Sequence, residues 1–248
     1  MNDDQLLRYS RQIMLPEVDV AGQEKLLGAH VAIVGLGGLG SPAALYLAAA
    51  GIGALTLVDF DTVDVSNLQR QVVHRHDAVG QPKVDSARAT LEALNPDLIV
   101  NTVPQLLDDA GLRSLAARVD VVLDGTDNYA VRYQLNDACL AARTPLVSAA
   151  AIRFEAQLTT FDSRREDSPC YRCLYPEAGG ADQTCSENGV IAPLVGIVGA
   201  FEALEVIKLI TGVGETLVGR VLYFDAKYAE WREFKLARLP GCPACSGA

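Results

Sequence analysis

The sequence predicts a doubly wound α/β fold: a mainly parallel sheet, extended by antiparallel strands towards its C-terminal end. Two short apolar, β-branched runs near the N-terminus have the pattern of strands buried on both faces of a parallel sheet, and further strand candidates recur as far as Ala149. Helical patterns separate these runs, and such alternation selects a doubly wound sheet with ligands at the carboxyl ends of its strands. From about Glu155 strand patterns follow one another with few helices between them, which selects antiparallel pairing.

Val31 to Gly35 (VAIVG) and Ala54 to Asp59 (ALTLVD) are the first two strands, joined by an Ala- and Leu-rich helix from Leu39 to Ala50. Leu98 to Val103, Asp120 to Asp124 (DVVLD) and Pro145 to Ala149 are the next three. Between Pro82 and Leu94, Val84, Ala87, Leu91 and Leu94 share one helical face. Pro82 is tolerated in a first turn, and Asn95-Pro96 is the stop. Glu155 to Phe161, Gly219 to Asp225 and Trp231 to Leu236 are the later strands, with an apolar helix from about Pro193 to Thr211. The apolar stretch Gly189 to Leu209 suits the core, a partner or a second subunit equally. Asp162 to Asn188 is polar and Cys-rich, a surface excursion rather than a linker. One domain over residues 1–248 is the expectation; the alternative is a smaller second lobe in the C-terminal third.

The chain has 248 residues, 50% of them hydrophobic and 21% charged, enough apolar surface to offset the entropy of ordering. Its net charge of −10 repels phosphate backbones and anionic membranes, so neither nucleic acid nor a membrane is the expected partner. Met1 to Gln5 (MNDDQ) has no basic residue and no apolar segment, so no signal peptide is expected and the cytoplasm is the expected compartment. The uncharged run from Val31 to Val58 is long enough to span a bilayer, but its glycines and Pro42 punctuate it as strand, turn, helix and strand.

Gly35, Gly37 and Gly40 form G-x-G-x-x-G between a strand and a helix, and Asp59 ends the following strand, placed to grip ribose hydroxyls. Such glycines bring backbone close to a phosphate at a helix N-terminus, a Rossmann-like arrangement. The pattern fits an adenine nucleotide, without separating NAD from ATP; a turn serving only packing is the bland alternative. No Walker-type phosphate loop is present. The loop DFDTVDVSNLQRQ ends near Arg70, and Lys83 opens the next helix. Two such cations can sit on a triphosphate, whereas hydride transfer needs neither. Asp124-Gly125-Thr126-Asp127-Asn128 ends another strand with two carboxylates and an amide, suited to Mg2+ bridging phosphate oxygens. Taken singly, Arg70 and Lys83 could be a solvated surface pair, and Asp127 or Asn128 a helix cap. Three such loops at successive strand ends favour the nucleotide.

These residues resemble the MoeB/ThiF adenylyltransferases, relatives of ubiquitin-activating enzymes, over nearly the whole chain. The resemblance is carried by Arg8-Tyr9-Ser10-Arg11-Gln12, GLGGLG at Gly35 to Gly40, DFDTV from Asp59, SNLQRQ from Ser66, VGQPK ending at Lys83 and TDN at Thr126 to Asn128. It implies ATP-dependent adenylylation of the C-terminal glycine of a ubiquitin-like sulfur carrier ending in Gly-Gly. The small subunit of molybdopterin synthase is favoured as carrier, and the thiazole-pathway carrier is second. ATP would be bound by Gly38, Asp59, Ser66, Asn67, Leu68, Gln69, Arg70, Lys83, Asp127 and Asn128. Arg70 and Lys83 would neutralise phosphate charge, Asp127 would serve Mg2+, and Arg11 would be donated across a homodimer. A nicotinamide-dependent oxidoreductase and a non-catalytic scaffold are the competing classes; the SNLQR and TDN loops oppose the first, and retention of Arg70, Lys83 and Asp127 the second.

Cys170-x-x-Cys173 and Cys242-x-x-Cys245 are two knuckles of the kind that close around a structural Zn2+. Redox-active pairs and unligated thiols are the alternatives. Cys139 sits in an apolar helical pattern and reads as buried and inert. Cys185 lies in a polar loop, where ThiF-type relatives link a cysteine to the carrier; a loop thiol without function is the other reading. His30, His74 and His76 show no ligand or triad spacing and read as structural or solvent-facing.

Overall fold

The computed structural model describes residues 1–176 and 189–246. Its strands are β1 (His30–Val34), β2 (Ala54–Val58), β3 (Ile99–Val103), β4 (Val121–Asp124), β5 (Leu146–Ile152), β6 (Glu155–Phe161), β7 (Arg220–Asp225) and β8 (Glu230–Lys235). All lie in one sheet, in the order β3-β2-β1-β4-β5-β6-β7-β8. The pairs from β3 across to β5 are parallel, and those from β5 to β8 antiparallel. The C-terminal third therefore extends the same sheet, as the strand spacing predicts. Among the described residues no helix is long and apolar enough to cross a membrane.

The helices are α1 (Asp3–Arg8), α2 (Ser10–Ile13), α3 (Asp19–Gly28), α4 (Gly40–Ala50), α5 (Lys83–Leu94), α6 (Asp109–Ala116), α7 (Tyr129–Ala142), α8 (Tyr171–Leu174) and α9 (Ala192–Thr211). Because side chains alternate across a strand, Val31 and Ile33 point into one core layer and Ala32 and Val34 into the other. The first layer is filled from α4, α5 and α9 by residues such as Leu47, Leu91 and Val198; the second from α6 and α7 by Leu115, Leu135 and Cys139. Leu94, expected on the buried face of α5, is exposed, because it occupies the last turn, beyond Leu91, the last buried position of that helix. The N-terminal helices carry no strong periodicity, yet Tyr9 is buried and its hydroxyl accepts from Asn95 Nδ2 at 3.1 Å.

The apolar helix α9 packs on the core rather than standing free. Its buried face includes Leu194, Val195, Val198, Gly199, Ala203 and Val206, while Ile197 and Leu204 are exposed. Gly199 is required at its position, since a Cβ there would overlap the Leu39 carbonyl oxygen at the start of α4. At Gly196, on the same helix, a Cβ would enter open space. Gly199→Ala should therefore lower stability by roughly 1–3 kcal/mol through overpacking. Gly196→Ala should be neutral or raise it by up to about 1 kcal/mol, the difference in helix propensity. Thermal unfolding of the two variants checks the contrast; equal effects would contradict this packing.

Candidate active site

Three strand ends meet where the strand order reverses. β1 turns through Gly35 to Leu39 into α4, β2 is followed by Asp59, and β4 by Gly125 to Asn128. They frame a cleft of about 420 Å3 lined by, among others, Gly37, Gly38, Asp59, Asn67, Arg70, Lys83, Asp127 and Asn128. Ser66, Leu68 and Gln69 belong to the same loop but are not among the lining residues, and Arg11 lies elsewhere. This is the position at which doubly wound sheets bind ligands.

The glycines have different duties. Gly35 has a φ of +91°, and a Cβ there would stand 2.8 Å from the Gly125 backbone; its conformation and its neighbour both exclude a side chain. A Cβ on Gly38 would press on Val195 of α9 at 3.0 Å. At Gly37 the nearest atoms would be 3.9 Å away. Packing does not require that glycine, and its bare backbone leaves room at the N-terminus of α4, where the helix dipole favours an anion.

Asp59 holds the loop in place. Its Oδ2 accepts from Leu36 N–H at 2.7 Å and its Oδ1 from Asp61 N–H at 2.9 Å. Burial raises its pKa above the ordinary carboxylate value, while the Lys83 charge and these N–H groups pull it down. Each oxygen keeps a second lone pair for a ribose hydroxyl. Lys83 Nζ is 2.8 Å from Asp61 Oδ2, an ion pair between a buried ammonium and a half-exposed carboxylate. Arg70 Nη1 donates to the Ser66 carbonyl at 3.1 Å, folding the guanidinium over its own loop.

The strand-end motif after β4 divides otherwise than its sequence implies. Asp124 is fully buried: its Oδ1 accepts from Thr126, its Oδ2 from Ser148 Oγ at 2.9 Å, and it lies 3.6 Å from Arg132 Nε. It cannot serve a metal in the cleft, so of the two carboxylates only Asp127, exposed on the cleft wall, is available. Asn128 caps α7, accepting from Val131 N–H at 3.2 Å, while also lining the cleft. The capping alternative therefore holds for Asn128.

Two cleft residues stand outside the site assigned from the sequence: Arg132, beyond the motifs, and Gln71, the last residue of SNLQRQ. Arg132 is buried and donates to the carbonyls of Thr126 and Ala149, tying the loop after β4 to β5. Burial alone would lower its pKa, but Asp124 and neighbouring tyrosines raise it, so it stays cationic. Gln71 is also buried, with an Oε1 that has no partner among the described residues. Nearby Glu202 of α9 is fully buried, its carboxylate without a hydrogen-bond partner among the described residues; burial, and then the Asp124 charge, raise its pKa well above the carboxylate range.

Away from the cleft, the Sγ atoms of Cys170, Cys173, Cys242 and Cys245 all lie within 4.8 Å of one another. Cys170 is 3.9 Å from Cys173 and 3.7 Å from Cys242, and Cys173 is 3.5 Å from Cys245. A tetrahedron with metal–sulfur bonds of about 2.3 Å has edges of about 3.8 Å, so the four cysteines could hold a metal ion. Burial pushes the Cys242 thiol up, but the backbone N–H groups of Cys245 and Ala244 bring it down to about 7. Cys139 is buried in α7, and burial pushes its thiol up, as an inert thiol requires. Cys185 lies outside the described residues.

The sequence profile of the ThiF family matches residues 9–244. The chain belongs to this family. It is 52% identical over 245 residues to the molybdopterin-synthase adenylyltransferase of Escherichia coli (strain K12), covering 99% of this chain and 98% of that one. It is 46% identical over 248 residues to the sulfur carrier protein ThiS adenylyltransferase of the same organism, covering 100% and 98%. A crystal structure of E. coli MccB with ATP superposes with a TM-score of 0.82 at 25% identity, over 99% of this chain and 75% of that one.

Behind the lining of this ThiF-family cleft lies a further titratable group. His74 is buried behind the glycine loop rather than solvent-facing, whereas His76 is exposed. Burial lowers the His74 pKa to about 4, with the nearby Lys83 charge adding to the fall. An unfolded histidine binds its proton near 6.5, so between about pH 6.5 and pH 4 the unfolded state takes up a proton that the folded state refuses. Stability is then full above pH 6.5 and falls as the pH drops. His74→Gln should remove this component, narrowing the fall between pH 7 and pH 5 by about 2 kcal/mol. Chemical denaturation of both proteins at the two pH values checks it; parallel losses would refute it.

Proposed function

We propose that this protein adenylylates, at the expense of ATP, the C-terminal glycine carboxylate of a ubiquitin-like sulfur carrier ending in Gly-Gly, in molybdenum cofactor biosynthesis. The small subunit of molybdopterin synthase is the favoured carrier, because the molybdopterin-synthase adenylyltransferase is the more similar of the two E. coli relatives above. The 46% identity to the ThiS adenylyltransferase supports the thiazole-pathway carrier as second reading. The observation that carries the proposal is the cleft itself, with open backbone at Gly37 and with Arg70, Lys83 and Asp127 all among its lining residues.

In that cleft the carrier carboxylate attacks the α-phosphorus, pyrophosphate leaves, and an acyl adenylate forms. Negative charge grows on phosphate oxygens, so preorganised cations supply most of the acceleration and no enzyme nucleophile is needed. Lys83 is held in position by Asp61 before nucleotide arrives, and Arg70 needs only to exchange the Ser66 carbonyl for a phosphate oxygen. Asp59 would hold the ribose, Asn67 and Asn128 line the walls, and Asp127 would hold an Mg2+, which would supply positive charge against the phosphate oxygens.

Arg11 sits in a separate groove of about 490 Å3, beside Tyr46, Leu204 and Ile207. Its position outside the cleft of its own chain supports donation to a second copy, as an arginine finger in a homodimer. Residues 1–248 act as one adenylyltransferase unit in the cytoplasm. Carrier-dependent ATP–pyrophosphate exchange tests the proposal. Exchange should require a Gly-Gly carrier and fall on the order of a hundredfold to a thousandfold in Lys83→Ala. Mixing Arg11→Ala with Asp127→Ala subunits should restore one working site per dimer. Absence of exchange with every carrier would remove the proposal.

The four cysteines would hold a structural Zn2+, which joins the excursion after Phe161 to the C-terminal segment. Four buried cysteines would hold the metal, which would supply charge and bonds to their thiolates, and its binding energy would be folding energy. Cys173→Ser should release about one equivalent of zinc and lower the melting temperature. Elemental analysis with calorimetry checks both; wild-type protein free of zinc with an unchanged melting temperature in the variant would contradict it.

A further inference from the structure

His74 has no part in the chemistry above, yet it bridges two of the elements that perform it. Its Nε2 stands 3.2 Å from the Leu36 carbonyl oxygen and its Nδ1 3.0 Å from Ser86 Oγ. A carbonyl only accepts, so Nε2 carries the proton; in a neutral ring Nδ1 is then the acceptor, and the Ser86 hydroxyl donates to it. The same Leu36 carbonyl also accepts from Ser41 Oγ at 3.0 Å, while the Leu36 N–H is held by Asp59 at 2.7 Å. The residue before Gly37 is thus gripped through both its backbone groups. Ser86 lies one turn beyond Lys83 on α5. The His74 N–H donates to the Gln71 carbonyl at 3.1 Å, which ties the ring to the loop carrying Arg70.

We infer that His74 is a positioning residue for the phosphate cleft, a spacer that fixes the distance from the glycine-loop backbone to the Lys83 ammonium. The inference rests on reading the cleft as a triphosphate site. A ligand that touches both the loop and Lys83 depends on that spacing; one without phosphates does not. A shift of about 1 Å at such a site is enough to cost binding or rate.

Calorimetric titration of the full chain with ATP and with adenosine tests the role. His74→Phe fills the volume without either hydrogen bond, His74→Gln keeps an amide donor, and Ser86→Ala removes one partner alone. We expect His74→Phe to weaken ATP by about tenfold and adenosine by less than about twofold, with part of the ATP loss recovered in His74→Gln. Ser86→Ala should shift ATP in the same direction, and the double variant should be no weaker than His74→Phe, because both act through one bridge. Equal losses for the two ligands, no loss, or additive losses in the double variant would overturn the inference. If His74→Phe does not fold, the contrast between ATP and adenosine in Ser86→Ala decides. Wild-type protein that binds no ATP sinks the reading of the cleft, whereas intact ATP binding in all variants sinks only the role of His74.

Discussion

Two backbone turns, after β1 and after β4, approach each other so closely that no side chain fits between them. A Cβ on Gly35 would press on the backbone of Gly125, and one on Gly125 would press in return on Gly35 and Gly40. The remainder of the site depends on this contact. It brings two strand ends together at the reversal of sheet order and aims the start of α4 at the space between them. Val195 and Gly199 of α9 then close on the loop from behind, so the turn is held by packing on one side and left bare on the other.

Charge is arranged around that turn in two tiers. The deep tier is committed to architecture: Asp124 and Arg132 are buried against each other and against Thr126, Ser148 and Ala149. Removing one member of such a pair would leave the other charge buried and uncompensated, which is far more costly than the pair is stabilising. The outer tier, Arg70, Lys83 and Asp127, lines the cleft. Its cations make bonds that an incoming phosphate can replace, to a half-exposed Asp61 carboxylate and to the Ser66 carbonyl. Preorganised charge of this kind costs no rearrangement at the moment of reaction.

The fold and much of the cleft are legible in the sequence because their signals are local. Apolar runs of strand length, a helical period beginning at Lys83 and glycines at fixed spacing each report backbone geometry within one element. The cysteine knuckles are legible for the same reason, since each pair lies within one turn of chain. By contrast, the sequence groups Asp124 with Asp127 as a metal carboxylate, and nothing in its neighbourhood discloses that Ser148 and Arg132 occupy it. His74 shows no role in the sequence because its partners, Leu36 and Ser86, come from two other elements.

The sequence by itself determined the alternation of strands and helices, the bare backbone at the start of α4 and the inventory of cations and thiols. Tertiary structure alone decided which polar groups are spent on holding the protein together and which are left to meet a ligand. The physical reason is reach. Periodicity is dictated by the dihedral angles of neighbouring residues, but a buried donor or acceptor is satisfied by whatever lies within about 3 Å, and in a doubly wound sheet that partner usually comes from a distant segment.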